Sequence, residues 1–206
     1  MSLTAKDSGG SSFPPVPQGQ HYAITTAIYD LGTQVSERFG NVSRKVLIQW
    51  ELPEQRIDIE KDGEKQNLPR AISKQYTLSL HEKANLRHDL ESWRGKTFTE
   101  KECEGFDVLV LLGVPCMLQI LHKNKDGKTY SNISTITPVA KGTPKKQPEN
   151  PLRTFSFEDG SNIPEGTPEW IQKIIEQSEE WQMKDYYPDS DSGVEQPQYS
   201  DDDIPF

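Results

Sequence analysis

Ala71-Ile72-Ser73-Lys74-Gln75-Tyr76-Thr77-Leu78-Ser79-Leu80 and, a short turn later, Asn85-Leu86-Arg87-His88-Asp89-Leu90-Glu91-Ser92-Trp93-Arg94-Gly95 adjoin but follow different periods. In the first stretch Ile72, Tyr76, Leu78 and Leu80 share one face and Ser73, Gln75, Thr77 and Ser79 the other, the alternation of a strand. In the second, Leu86, Leu90 and Trp93 fall at i, i+4 and i+7, and Gly95 stands where a helix ends most easily. The change of period predicts a strand over 71–80 and a helix over about 82–94.

Upstream, residues 22–31 (Tyr22 to Leu31) and 42–52 (Val42 to Leu52, with Val46, Leu47, Ile48 and Trp50) read as two more strands. Downstream, Thr99-x-x-Glu102 has the form of a capping box, and Asp107 can cap a turn across Val108 to Leu112 before Gly113. Residues 114–123 and 129–137 are a further strand pair, joined at Asn124-Lys125-Asp126-Gly127-Lys128 by an Asp-Gly turn. Three strands, a helix and two strands is the element order of the OB-fold, a five-stranded Greek-key barrel with its helix between strands three and four. The expected class is mainly β, with this barrel over 20–140, a peripheral C-terminal helix and disordered termini. An SH3-like barrel or a small α+β sheet shares the strand count; the inserted helix favours OB.

The chain of 206 residues is 33% hydrophobic, too little for its whole length to be packed core. Residues 1–19, with Ser8-Gly9-Gly10-Ser11-Ser12 and Pro14-Pro15-Val16-Pro17, read as a flexible arm. Residues 141–184 read as a linker rich in Pro, Gly, Lys and Thr followed by one amphipathic helix over about 169–183, opened by Thr167-Pro168-Glu169 and carrying Trp170, Ile171, Ile174, Ile175 and Trp181. Its default seat is the body, with a neighbouring subunit or a partner as alternatives. Residues 185–206 hold seven acids and no base and are expected to be disordered. Charge divides accordingly: residues 1–148 carry net +3 and residues 149–206 net −12. That split suits a body that meets a polyanion and a tail that meets basic partners, and equally a neutral domain with a solubilising tail. No run of 18 apolar residues and no hydrophobic leader occurs, so a cytoplasmic protein without membrane contact is expected. Cys103 and Cys116 have neither disulfide nor zinc-site spacing and read as small buried apolar residues.

Asp201-Asp202-Asp203-Ile204-Pro205-Phe206 sets a stiff apolar dipeptide and a ring on an acidic leash, the chemistry of a peptide that docks in a pocket with a basic rim. This tip resembles the C-terminus of bacterial single-stranded DNA-binding proteins. The stretch from Asn85 to Lys96, with Phe106-Asp107, Gly113-Val114-Pro115-Cys116, Tyr130-Ser131-Asn132-Ile133 and Pro168-Glu169-Trp170-Ile171, resembles a family of bacteriophage-encoded single-stranded DNA-binding proteins. The resemblance implies an OB-fold that holds single strands without sequence preference. It also implies a tip that recruits replication, recombination or repair proteins of host or phage. The body departs throughout from the cellular members, so none of their DNA-contacting residues can be carried across.

A sequence-tolerant binder of single strands needs cations along a groove and rings on which bases stack. Arg44 and Lys45 open the second strand, Arg70 and Lys74 lie on or beside the third, and His122, Lys123, Lys125 and Lys128 flank the last hairpin. The same residues also suit an ordinary solvated rim. Tyr29, Phe39, Tyr76 and Tyr130 are the stacking candidates, whereas Trp50 and Trp93 share faces with aliphatic residues and are expected inside. A one-residue error of register would exchange these assignments. Asp58, Glu60, Asp62 and Glu64 imitate a metal-binding set, but Asp62-Gly63 reads as the turn of an exposed hairpin. No phosphate loop, catalytic triad order or cofactor motif occurs, so neither enzyme activity nor a cofactor is expected. Two rivals remain: an acidic adaptor or DNA mimic that binds no nucleic acid, and a metal-dependent nuclease using the Asp58 to Glu64 carboxylates. The sequence is silent on oligomeric state.

Overall fold

The first strand, β1 (Gly19–Val35), is buried without interruption from Tyr22 to Gly32, so side chains of both parities are covered. In the computed structural model, which describes residues 14–36, 40–61, 64–158, 160 and 162–186, this strand is the axis of the fold. It pairs antiparallel with β2 (Val42–Lys61) from Ile24↔Glu51 to Val35↔Val42, and with β4 (Pro115–Lys125) from Gly19↔Ile120 to Ile24↔Pro115. Beyond β4, the short β6 (Arg153–Phe155) joins it in parallel at Ala27–Tyr29. β3 (Glu64–Thr77) pairs with β2 and β5 (Lys128–Thr137) with β4, giving the order β3-β2-β1-β4-β5. Register shifts in β1 at Thr25/Ala27 and Asp30/Gly32 mark bulges, which bend a strand and increase its twist. The antiparallel sheet curls into a half-barrel.

Each face of that sheet has its own core. On the inner face Val46, Ile48, Trp50 and Leu52 of β2 meet Tyr76 of β3, Cys116, Leu118 and Ile120 of β4, and Ile133 and Ile136 of β5. α1 (Asn85–Arg94) seats Leu86, Leu90 and Trp93 on them, with Trp93 tilted 6.1 Å from Trp50, so both tryptophans are inside as expected. α1 ends on Gly95 at φ 66°, a left-handed cap. It lies at the seam between the two edge strands, which no ladder joins among the described residues. Side chains cross the seam instead: Lys74 Nζ reaches the Ile133 carbonyl at 3.3 Å and Ser92 Oγ donates to that of Ile136 at 2.6 Å.

The outer core comprises Ala27, Tyr29, Leu31 and Leu47 under Phe155 and under Ile171 and Ile175 of α3 (Glu169–Glu176). The helix expected over 169–183 is in fact two. α4 (Glu179–Tyr186) starts after Ser178, which is fully buried, donates to Ile175 O at 2.6 Å and accepts from Trp181 N at 3.2 Å. Serine competes with helix continuation by such local bonds, so the break falls there. Glu180 then accepts from Thr33 N (2.6 Å) and Thr33 Oγ1 (2.7 Å), which fastens α4 to β1. Burial alone would raise the Glu180 pKa; the Thr33 donors outweigh it and hold the carboxyl below its usual range.

Other boundaries moved as well. β2 and β3 run past the predicted 42–52 and 71–80 into one long hairpin, while Leu78 and Leu80 fall beyond its end. Asp58, Glu60 and Glu64 lie on this ribbon as expected, with Asp58 accepting from Asn67 at 2.6 Å; Asp62 is outside the described residues. The Thr99–Glu102 capping box forms at α2 (Glu100–Glu104), and the Asp107 carboxylate accepts from Leu109 N at the start of a 3-10 turn. Asp126 and Gly127 both take positive φ (52° and 74°), as an Asp-Gly hairpin requires. The linker lies on the body, held where the buried Glu51 carboxylate accepts from the amides of Glu149 and Asn150. Residues 14–18, expected within a flexible arm, are instead bound across the seam, with Val16 inside the core. Cys116 is buried as expected and Cys103 half-buried, both free.

At Gly32 β1 comes close against Ser178, between α3 and α4. The glycine φ is 67°, and a Cβ there would lie 2.5 Å from Ser178 Cβ. Gly32→Ala should therefore destabilise the fold by about 2–4 kcal/mol, from left-handed strain plus overpacking, read as a lower urea midpoint with earlier proteolytic release of α3 and α4.

Candidate nucleic-acid interface

Strand alternation sends Ser43 and Lys45 of β2, and Gln75 and Thr77 of β3, to the face that also carries the outer-core Leu47. Lys45 stands opposite Thr77 in register, and its Nζ donates to Thr77 Oγ1 at 2.7 Å. Lys45, Gln75 and Thr77 are shared by two clefts of about 620 and 570 Å³, so the two form one trough. One end reaches Ser79, His81, Lys83 and Asn85 at the start of α1, where Ala84 offers no side-chain cap and the first turn holds no acid. The other end reaches Gln34, Val35 and Asn41, with Val35 and Val42 facing each other exposed at the strand ends. Among the described residues no carboxylate lines either cleft. Lys45 and Lys83 form no ion pair among the described residues.

A second cluster occupies the outward face of the β4–β5 hairpin. Lys123 stands opposite Tyr130 and Lys125 opposite Lys128, so three lysines and one ring share this hairpin face. Tyr130 is 49% exposed and, with Lys123, Lys125 and Asn132, borders a shallow hollow of about 330 Å³ with no acid among its described lining residues. None of these lysines forms an ion pair among the described residues. A ring flanked by mobile ammonium groups can stack on a base while the lysines meet phosphates.

The remaining predicted residues are placed elsewhere. Arg44 shares the inner-face parity of Val46 and is bound by Asp30 at 2.5 Å and Glu158 at 3.3 Å; the Asp30 hydrogen bond raises its pKa. It lines a separate cavity of about 290 Å³ with Ile28, Phe106 and Phe155. Lys74 borders the trough but is held by Asp89 at 2.6 Å, and that same carboxylate accepts from the Tyr76 hydroxyl at 2.7 Å. Tyr76 is 3% exposed, its pKa pushed up by burial and then by Asp89, and it cannot stack on a base. Tyr29 is 1% exposed under Phe155 and α3, so it too is core. Arg70 and His122 turn inward to the carbonyls of residues 14–16. Phe39 and the tip from Asp201 to Phe206 lie outside the described residues.

Thus Lys45 and the set Lys123, Lys125, Lys128 and Tyr130 stay available to a ligand, while Arg44, Lys74, Tyr29 and Tyr76 serve the fold. Sequence reasoning missed Gln75, His81 and Lys83. The polar alternation Ser73, Gln75, Thr77, Ser79 was the available signal, since it marks the solvent side of the strand that borders the trough. Among the described residues no group of three or more His, Cys, Asp or Glu is placed to hold a metal ion, and no helix is long and apolar enough to cross a membrane.

No protein-family model matches the chain, and no curated protein matches it.

Tyrosine nitration followed by peptide mapping checks the sorting of rings. The peptide with Tyr130 should be modified in the native protein, and those with Tyr29 and Tyr76 only after unfolding; early modification of Tyr76 would contradict its burial.

Proposed function

We propose that the protein binds single-stranded DNA without sequence preference and recruits other proteins through its acidic C-terminal segment. The observation that carries this reading is the trough around Lys45 and Lys83, whose described lining residues include three lysines and no acid, in a chain of net charge −9. A cationic lining of this kind suits a site for a polyanion. Tyr130, on the hairpin face it shares with the lysines, adds a stacking platform, and the order β3-β2-β1-β4-β5 with α1 inserted between β3 and β4 supports an OB-type barrel whose seam is bridged by α1 and side chains. The face of strands two and three, used by OB-folds for oligonucleotides, is the trough face here. The chemistry is binding rather than catalysis: cations neutralise phosphates and release counterions, and the ring accepts any base. The tail supplies the second activity. Asp201, Asp202 and Asp203 draw Ile204-Pro205-Phe206 toward a basic pocket on a replication, recombination or repair protein.

The adaptor and nuclease readings give different results in one set of assays. Titration of fluorescent poly(dT) should show binding that weakens steeply with salt, with a slope near −0.7 per phosphate contacted. The double variant K45E/K83E should bind on the order of tenfold less tightly and flatten that slope by about 1.4, while Y130A should lose ~1–3 kcal/mol of stacking with the slope little changed. An adaptor would show no strand binding. A nuclease would cut labelled strands in magnesium, whereas here they should stay whole.

α4 is fastened at Thr33, beside the Gln34 and Val35 end of the trough, and the twenty residues 187–206 follow α4 in the sequence. The tail is expected to compete with DNA there by its negative charge. Deleting 187–206 should leave poly(dT) affinity equal or higher and abolish partner capture; weaker strand binding would refute the competition.

A further inference from the structure

Residues Pro14 to Gln18 close the seam with acceptors alone. The Pro14 and Pro15 carbonyls accept from the Arg70 guanidinium, and the Val16 carbonyl bonds His122 Nε2 at 2.7 Å and accepts from Ser131 Oγ at 3.1 Å. The Pro17 carbonyl bonds His21 Nε2 at 2.8 Å, and Gln18 Oε1 accepts from His122 N at 3.2 Å. Three prolines without an N–H cannot form a ladder on either edge strand, so the segment is held by side-chain donors reaching it from β3, β4 and β5. Its anchor is Val16, 4% exposed in the inner core.

The donors are over-qualified for that task. Arg70 has no carboxylate partner among the described residues, and burial without a counter-charge pushes its pKa down. Its acceptors are neutral carbonyls. A phosphodiester oxygen carries a full charge, and bonds to ionised acceptors are roughly twice as strong as neutral ones. The Arg70 guanidinium, the His122 ring and the Ser131 hydroxyl together form a polar set fit for a phosphate and filled by backbone oxygens.

We infer that residues 14–18 are a displaceable strap over a phosphodiester-binding slot made by Arg70, His122 and Ser131, so that the N-terminal segment gates how far a bound strand extends across the seam. The inference rests on the strand-binding reading and adds a regulated subsite to it. A slot open only part of the time lowers the apparent affinity by the open fraction, and whatever loosens the strap raises it.

The test uses the full chain with Pro14→Gly and Pro15→Gly, which leave Val16 and the slot donors in place and give the strap more freedom when released. Poly(dT) affinity should rise by roughly fivefold or more, and adding Arg70→Gln should erase the gain. Unchanged or weaker binding by the glycine variant, or a gain that survives Arg70→Gln, would overturn the slot. Hydroxyl-radical footprinting of the wild-type protein tests the same point without any substitution: oxidation of the buried Val16 side chain should increase when poly(dT) binds, and unchanged or reduced oxidation would count against the gate. Absence of binding by both forms would refute the strand-binding reading itself, and the slot with it.

Discussion

The fold depends on one strand being covered on both faces. β1 carries buried side chains of both parities from Tyr22 to Gly32, so a single layer beneath it cannot satisfy it. Apolar area on each side needs its own cover, at about 25 cal/mol for each Å² removed from water. α1 covers the inner face and β6 with α3 the outer. The C-terminal helices are therefore part of the domain rather than an appendage, and the contact that admits them is Gly32 against Ser178, where a side chain on β1 would have no room.

The same division sorts the charged residues. A cation carried inward by strand parity must find partners, because an unpaired buried charge is costly. Arg44 found Asp30, and Lys74 found Asp89 and the Ile133 carbonyl. Cations carried outward, Lys45 on β2 and Lys123 and Lys125 on β4, form no ion pair among the described residues, Lys45 donating only to the Thr77 hydroxyl, and stay free to meet phosphate. Which lysines support the fold and which can serve a ligand is thus decided by the pleat, one residue at a time.

An open seam leaves two edge strands to be managed, and exposed edges invite pairing with other chains. Here α1, Lys74, Ser92 and the proline strap take up that role without adding a ladder. A seam closed by side chains can open one bond at a time. A closed hydrogen-bonded barrel lacks that freedom, which gives the strap its functional interest.

Much of this was legible in the residues. The change of period between Ala71–Leu80 and Leu86–Trp93, the Asp126-Gly127 turn, the Thr99–Glu102 box and the inward tryptophans all express local rules; the turn, the box and the tryptophans stand where those rules put them, and the strand-to-helix change does too, with the strand ending at Thr77. The hairpin cluster of Lys123, Lys125, Lys128 and Tyr130 was legible for the same reason, since two strands joined by a tight turn fix their own register. Tyr29, Tyr76 and Arg44 were misplaced because their exposure depends on what packs from far along the chain: α3 on Tyr29, Asp89 of α1 on Tyr76, Asp30 and Glu158 on Arg44. By itself the sequence determined the elements, the acidic tail and the hairpin patch, through backbone preference and composition. Only the tertiary structure decided which face of each strand meets solvent, that residues 14–18 cross the seam with Val16 in the core, and that Lys45 and Lys83 share one trough, because those outcomes rest on contacts between residues distant in the chain.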